Sequence, residues 1–255
     1  MEYTGNAIYD YIYDKNLDYY FSAEHDWTLV YGNAESIPKI MVFASKVPDI
    51  KSNCTDNELK AANKAFSVAK YLKLPFIFVR FMINNNLVRI LEENVGKWQI
   101  VTYDELRDIY EKYGVVQPGT AKKPVNQYTS SSYHVWQRNN LGRITVSDLD
   151  LIKYNSGQVQ EIIELKRSKI PLNRWTPYNN DYPNFALIIN AIVGSGGKIP
   201  FTLYYNLMGS GERGMRAEDI SLIKVYDFII PKDMISSDRV EYRLRGYYKP
   251  DQLLK

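Results

Sequence analysis

The chain of 255 residues is 45% hydrophobic and 24% charged, an ordinary balance for a globular protein and enough chain for one large domain or two small ones. Its single cysteine, Cys54, excludes an internal disulfide and any multi-cysteine zinc site. It has no basic start followed by an apolar run and no long apolar span, so the expected location is cytoplasmic, with no membrane partner. The net charge of +3 is unevenly placed. Residues 1–117 hold 13 Lys and Arg against 16 Asp and Glu, and the remainder holds 19 against 13, so the positive excess lies in the second half. Such an excess agrees with a polyanionic partner.

In chain order, Asn6 to Tyr20 reads as a tyrosine-rich helical stretch with Ile8, Tyr11 and Ile12 on one side. Asp26–Tyr31 and Lys39–Phe43 read as strands around Gly32-Asn33. Thr55 and Glu58 form a capping box opening a helix whose stripe is Leu59, Ala62, Phe66, Ala69 and Leu72. Pro75–Phe81 reads as a buried strand and Leu87–Leu91 as another. A second capping box, Thr102 and Glu105, opens a helix through Leu106, Ile109, Tyr110 and Tyr113. Gly114–Gln127 holds two prolines and two glycines with little periodicity, and 115–127 reads as a linker between an N-terminal α/β unit, 1–114, and a second unit, 128–255. After it come a short helix with Tyr133, Val135 and Trp136 turned inward and a hairpin. Arg174-Trp175 to Tyr182 reads as a polar, aromatic loop that either lines a substrate groove or is an ordinary loop with Asp181 capping the next helix, Asn184–Ile192, which Gly194–Gly197 ends. Strands follow at Phe201–Tyr205 and Leu222–Ile230. Gly209–Gly214 lacks the Lys-Ser/Thr ending of a phosphate-binding loop and reads as a plain loop.

The hairpin, within Ser147–Lys169, holds the candidate chemistry. An acidic-apolar run, Asp148 to Ile152, is followed by a turn at Asn155-Ser156-Gly157 and an apolar strand containing Glu164 and Lys166. Two residues apart, Glu164 and Lys166 share one strand face, while Ile163 and Leu165 take the other. A carboxylate and an ammonium on the inward half of an apolar strand need a partner. A divalent cation held by Asp150 and Glu164 would supply one, with Lys166 beside it.

Asp150, the hairpin and Glu164-Leu165-Lys166 resemble the core of the PD-(D/E)XK nuclease superfamily, which includes many restriction endonucleases and Holliday-junction resolvases. Leu149-Asp150 stands where that family often has Pro-Asp, and the match covers about twenty residues. The resemblance implies an α/β fold with a central mixed sheet flanked by helices. It also implies Mg²⁺- or Mn²⁺-dependent endonuclease activity on nucleic acid, DNA before RNA. Asp150, Glu164 and Lys166 would be catalytic; Asp150, Glu164, the Leu165 carbonyl and Asp148 would hold metal. Arg138, Arg143, Arg167, Lys169 and Arg174 would contact nucleic acid, joined by Lys122 and Lys123. A double-strand cutter with one site per chain would be a homodimer.

The family pattern places a further acidic ligand on a preceding helix, and this chain has no Asp or Glu between Lys112 and Ser147. Asp148, read as sharing a strand face with Asp150, His134, or a residue of the first half would take that place. The first half also reads as a worn copy of the second, matching Lys46-Val47-Pro48 to Lys169-Ile170-Pro171 and Pro75-Phe76 to Pro200-Phe201. On that match Met41 falls opposite Glu164 and Phe43 opposite Lys166, which leaves the first copy without chemistry. The competing reading is an inactive nucleic-acid-binding or regulatory protein on the same scaffold, and a third is a self-assembling structural protein.

Overall fold

The computed structural model describes residues 6–22, 25–83, 85–119, 132–208 and 218–255. The chain starts with α1 (Ala7–Asp14) and a two-residue strand, β1 (Tyr19–Tyr20). An antiparallel pair follows, β2 (Asp26–Gly32) and β3 (Pro38–Lys46). Helix α2 (Asp56–Leu72) crosses back to β4 (Phe76–Phe81), parallel to β3, and β5 (Leu87–Glu92) and β6 (Trp98–Thr102) continue antiparallel. Helices α3 (Tyr103–Lys112) and α4 (Ser132–Asn140) lead to the second half. There β7 (Thr145–Asp148) precedes the hairpin of β8 (Leu151–Asn155) and β9 (Gln158–Ser168). Helix α5 (Tyr182–Ser195) then crosses to β10 (Phe201–Met208), parallel to β9. Strands β11 (Glu218–Phe228) and β12 (Tyr242–Tyr248) follow antiparallel, and α6 (Pro250–Leu253) closes the chain.

The mixed α/β architecture is as expected, with the strands in two mixed sheets, one drawn mainly from each half of the chain. Sheet I has the order β6-β5-β4-β3-β2-β7 and sheet II the order β1-β8-β9-β10-β11-β12. Each contains an antiparallel pair, a helical crossover to a parallel strand, and two more antiparallel strands. Each takes its last strand from the other half of the chain. Strand β1 pairs with β8, Tyr19 opposite Lys153, and β7 pairs with β2, Asp148 opposite Leu29.

The two sheets enclose α2 and α5. Met41, Phe43, Phe76 and Phe78 of sheet I and Ile152, Ile162, Leu203 and Tyr226 of sheet II share one core with those helices. An α5 that is buried almost all round needs apolar residues on every face, which is why 182–195 reads YPNFALIINAIVGS instead of showing a stripe. Its one buried amide, Asn190, donates to the Ser36 and Ile235 carbonyls, both at 2.9 Å, and so spans both halves. Alternate residues of each sheet face outward. Those of sheet I meet α3 and α4, and those of sheet II meet α1 and α6.

Local expectations were met with small changes. The capping boxes at Thr55 and Thr102 are both formed. The buried stripe of α2 is Ala62, Ala65, Val68, Ala69 and Leu72, and Leu59 is exposed. On α4, Tyr133 is buried and Trp136 packs beside it, whereas Val135 points to solvent. Residues 120–127 of the expected linker, with Lys122 and Lys123, and the loop 209–214 lie outside the described residues. Among the described residues no helix is long and apolar enough to cross a membrane.

Candidate acidic site at the junction of the two sheets

The run Asp148–Ile152 was expected to be one strand. It is instead where the chain passes from one sheet to the other. Asp148 ends β7 in sheet I, the Leu149 N–H donates to the Thr28 carbonyl at 2.8 Å, and Leu151 begins β8 in sheet II. Asp148 and Asp150 therefore do not share a strand face. The Leu149 side chain is buried in the central core and fixes the crossing. Asp150 is held at both ends. Its Oδ2 accepts the Leu165 N–H at 2.8 Å, and its carbonyl accepts the Tyr9 hydroxyl at 2.7 Å.

Strands β8 and β9 pair Ile152 with Ile162 and Leu151 with Ile163, so one further step of this register sets Asp150 opposite Glu164. Cross-strand partners lie on one face. Glu164 is buried, and its Oε1 receives the Lys166 ammonium at 2.8 Å. Lys166 also reaches Asp181 at 3.5 Å and stands 5.9 Å from the centre of the Phe185 ring. Asp181 occupies the N-cap position of α5 without capping it through its side chain. The carboxylate faces Lys166 instead, so the expected capping role is replaced by an ion pair.

Like charges held out of water dominate the electrostatics. Burial pushes the Asp150 carboxyl well above the usual carboxylate range, and the neighbouring Glu164 raises it further, with Lys166 and the Leu165 N–H opposing. Asp148, open to solvent on one side but crowded by protein on the others, is raised to about 6 by desolvation and then by Glu164; Lys166 and Arg138 pull the other way. Burial alone would lower the Lys166 amine, but Glu164, Asp150 and Asp181 outweigh it and hold the amine above its ordinary value. Lys166 is therefore an ammonium at neutral pH.

The fold thus brings together Asp148, Asp150, Glu164 and Lys166. The Leu165 backbone faces the same edge: its N–H meets Asp150, and in an extended strand the carbonyl of that residue points to the same side. Arg138, on α4, is close enough to act on Asp148. Arg167 is exposed and pairs with Glu218, and Arg143, Lys169 and Arg174 are exposed. His134 is not at the site. It packs edge-on against Trp27 at 5.0 Å, and burial lowers its pKa to about 4.

Three participants escaped the sequence reading. Tyr9 arrives on α1 from the first half, its phenol pushed upward by burial and by Asp150 and Glu164. Asp181 was read as a cap. Trp175, expected in an open loop, is buried, its ring stacked on Tyr205 at 4.1 Å. Its carbonyl accepts from Lys224 Nζ at 2.8 Å and from the Tyr226 hydroxyl at 3.0 Å. No local pattern marks these residues, because each meets its partner across a sheet or a core.

Among the described residues no group of three or more His, Cys, Asp or Glu side chains converges as a ready-made metal-ligand set. The donor chemistry is two carboxylates and a carbonyl, all hard oxygens. That suits Mg²⁺ or Mn²⁺, of which Mg²⁺ is commonly held by one or two carboxylates with water and substrate phosphate completing the shell. No protein-family model matches the chain, and no curated protein matches it.

Proposed function

We propose that the chain is a metal-dependent nuclease of PD-(D/E)XK type that hydrolyses phosphodiester bonds, with DNA the favoured substrate. One observation carries the reading. Asp150 and Glu164 are opposed across β8 and β9, at the end of an apolar core, with Lys166 bonded to one of them. Opposed carboxylates cost stability, and no packing need explains keeping both. In this reading Asp150, Glu164 and the Leu165 carbonyl hold Mg²⁺ or Mn²⁺. When bound, such an ion offsets charge on the scissile phosphate and acidifies a bound water.

The chain's own residues then do the following. The Leu165 N–H and Tyr9 hold Asp150 in place. Lys166, kept protonated by its neighbours, offsets charge on the phosphate and orients the attacking water; it is a poor proton acceptor in this environment. Asp181 steadies the ammonium from α5. Arg138, Arg143, Lys169 and Arg174 contribute phosphate contacts, and Arg167 does so from its place beside Glu218.

The matching connectivity of the two sheets supports reading the halves as a duplication. Met41 donates to the Pro75 carbonyl at 2.9 Å and Ile162 to the Pro200 carbonyl at 3.1 Å, so those two residues correspond. Counting from them, Phe43 and Ser45 stand where sheet II has Glu164 and Lys166, a shift of two from the sequence match. Thr28 takes the place of Asp150. The first copy has none of the three groups, which leaves one site per chain, so that a double-strand cut would need two copies.

The test is incubation of plasmid DNA, single-stranded DNA and RNA with Mg²⁺ or Mn²⁺, with an EDTA control and Mn²⁺ calorimetry on wild type and Asp150→Asn. Cutting abolished by EDTA, with Mn²⁺ binding lost in Asp150→Asn, supports the reading. Intact substrates and no metal binding would leave the nucleic-acid-binding alternative.

A further inference from the structure

Next to the acidic site, sheet II carries a row of four residues on one face. Its register pairs Lys166 with Tyr205, Tyr205 with Lys224, and Lys224 with Tyr247. Strands lie ~4.8 Å apart, so the row carries the face roughly 14 Å from Lys166 to Tyr247. Trp175 lies over the middle of it, stacked on Tyr205 within 3° of parallel and bonded through its carbonyl to Lys224 and Tyr226. Lys224 sits 5.0 Å from the Tyr226 ring centre and 5.7 Å from that of Tyr247. This is a rigid aromatic block, and its outer members are open. Tyr178, edge-on to Trp175 at 5.8 Å, is 46% exposed, Tyr247 is 41% exposed, and Leu244, opposite Tyr226, is 49% exposed.

An exposed aromatic surface on a fixed backing is a recognition surface more often than an accident. Two features choose its occupant. Lys169 and Arg174, both exposed and without a carboxylate partner among the described residues, flank it on the Trp175 segment. The row also runs directly from the ammonium assigned to the scissile phosphate. Basic groups beside open aromatic rings match a chain of phosphates carrying unstacked bases, and such rings are closed to bases paired within a duplex.

We infer that Tyr178 and Tyr247 stack bases of a single-stranded nucleic acid leading into the acidic site, so that the substrate presents unpaired bases. This deepens the nuclease reading and rests on it for the direction of the strand, but stacking itself needs no catalysis. The experiment is fluorescence anisotropy of a labelled single-stranded oligonucleotide and of its duplex, in EDTA so that nothing is cut. Wild type, Arg174→Ala and Tyr178→Ala/Tyr247→Ala are compared, each shown by thermal melting to be folded. The single strand should bind at least tenfold more tightly than the duplex. Base stacking is worth about 1–3 kcal/mol per base, so the double tyrosine variant should weaken single-strand binding about tenfold or more, and Arg174→Ala should weaken it as well by removing a phosphate contact. Equal binding of both forms, or single-strand affinity untouched by the tyrosine changes, would overturn the inference even if the protein cuts DNA. Strong tyrosine-dependent binding without metal-dependent cutting would uphold it and remove the nuclease. Self-association by sedimentation that Leu244→Asp or the tyrosine changes abolish, with no single-strand binding, would assign the surface to a second copy and overturn it.

Discussion

The register of β8 and β9, carried one step past Leu151, sets Asp150 opposite Glu164, and the Glu164 carboxylate adds to the cost of charging Asp150. A carboxyl whose folded pKa is raised destabilises the fold above its unfolded value near 3.9. Asp150→Asn keeps an oxygen for the Leu165 N–H and removes the charge. The variant should therefore melt higher than wild type at pH 7 to 8 in EDTA, with the gap closing toward pH 4. In Mg²⁺ the wild type should gain melting temperature and the variant should not. Scanning calorimetry at the two pH values checks both halves; a variant less stable at neutral pH contradicts the burden assigned to Asp150.

In the other half, Arg80 and Glu58 form a buried ion pair, 1% and 6% exposed, with Nε 2.8 Å from Oε1. Arg80 also donates to the Ser52 and Asn53 carbonyls, and Glu58 closes the Thr55 cap. Removing one partner strands the other, at a cost of about 3–5 kcal/mol. Arg80→Met and Glu58→Gln should each lose that much in urea unfolding, and Arg80→Met/Glu58→Gln should lose less than the sum.

The acid limb of stability has an identified contributor in His134. Its folded pKa of about 4 lies below the unfolded value near 6.5. Between those values the unfolded chain binds more protons, so stability rises with pH through that window and is lost as pH falls through it. His134→Phe keeps a ring against Trp27 and removes the titration. Its melting temperature should vary less than that of wild type between pH 4 and 6.5.

Trp175 pins the segment between β9 and α5 to sheet II. Trp175→Ala removes the stack on Tyr205 and opens a cavity, at about 3–5 kcal/mol. Urea unfolding should show that loss, and limited proteolysis should cut first within residues 169–181.

Much of the fold can be read locally, and the reason is visible in particular residues. The run Phe76–Phe81 is apolar but for Arg80 because β4 is covered on both faces, and the Thr55 and Thr102 caps need only four residues to declare a helix start. The crossing at Leu149 cannot be read that way. Asp148 to Ile152 has the pattern of one strand, and only the pairing of Asp148 with Leu29 in the other half reveals the break. Lys166 was legible through its spacing from Glu164, whereas Asp181, fifteen positions along, wears the same sequence signature as any helix cap. Arg80 and Glu58 each looked complete alone, one in a buried strand and one in a capping box, and their contact is tertiary.

The most direct measurement is cleavage of supercoiled plasmid and single-stranded DNA by wild type and Lys166→Ala in Mg²⁺, with EDTA beside each. Lys166 bonds to Glu164 and is held charged by three carboxylates, so its removal should lower the rate by at least a hundredfold while Mn²⁺ binding persists. Metal-dependent cutting that Lys166→Ala retains, or none by either protein, would contradict the assignment of this cluster as a nuclease site.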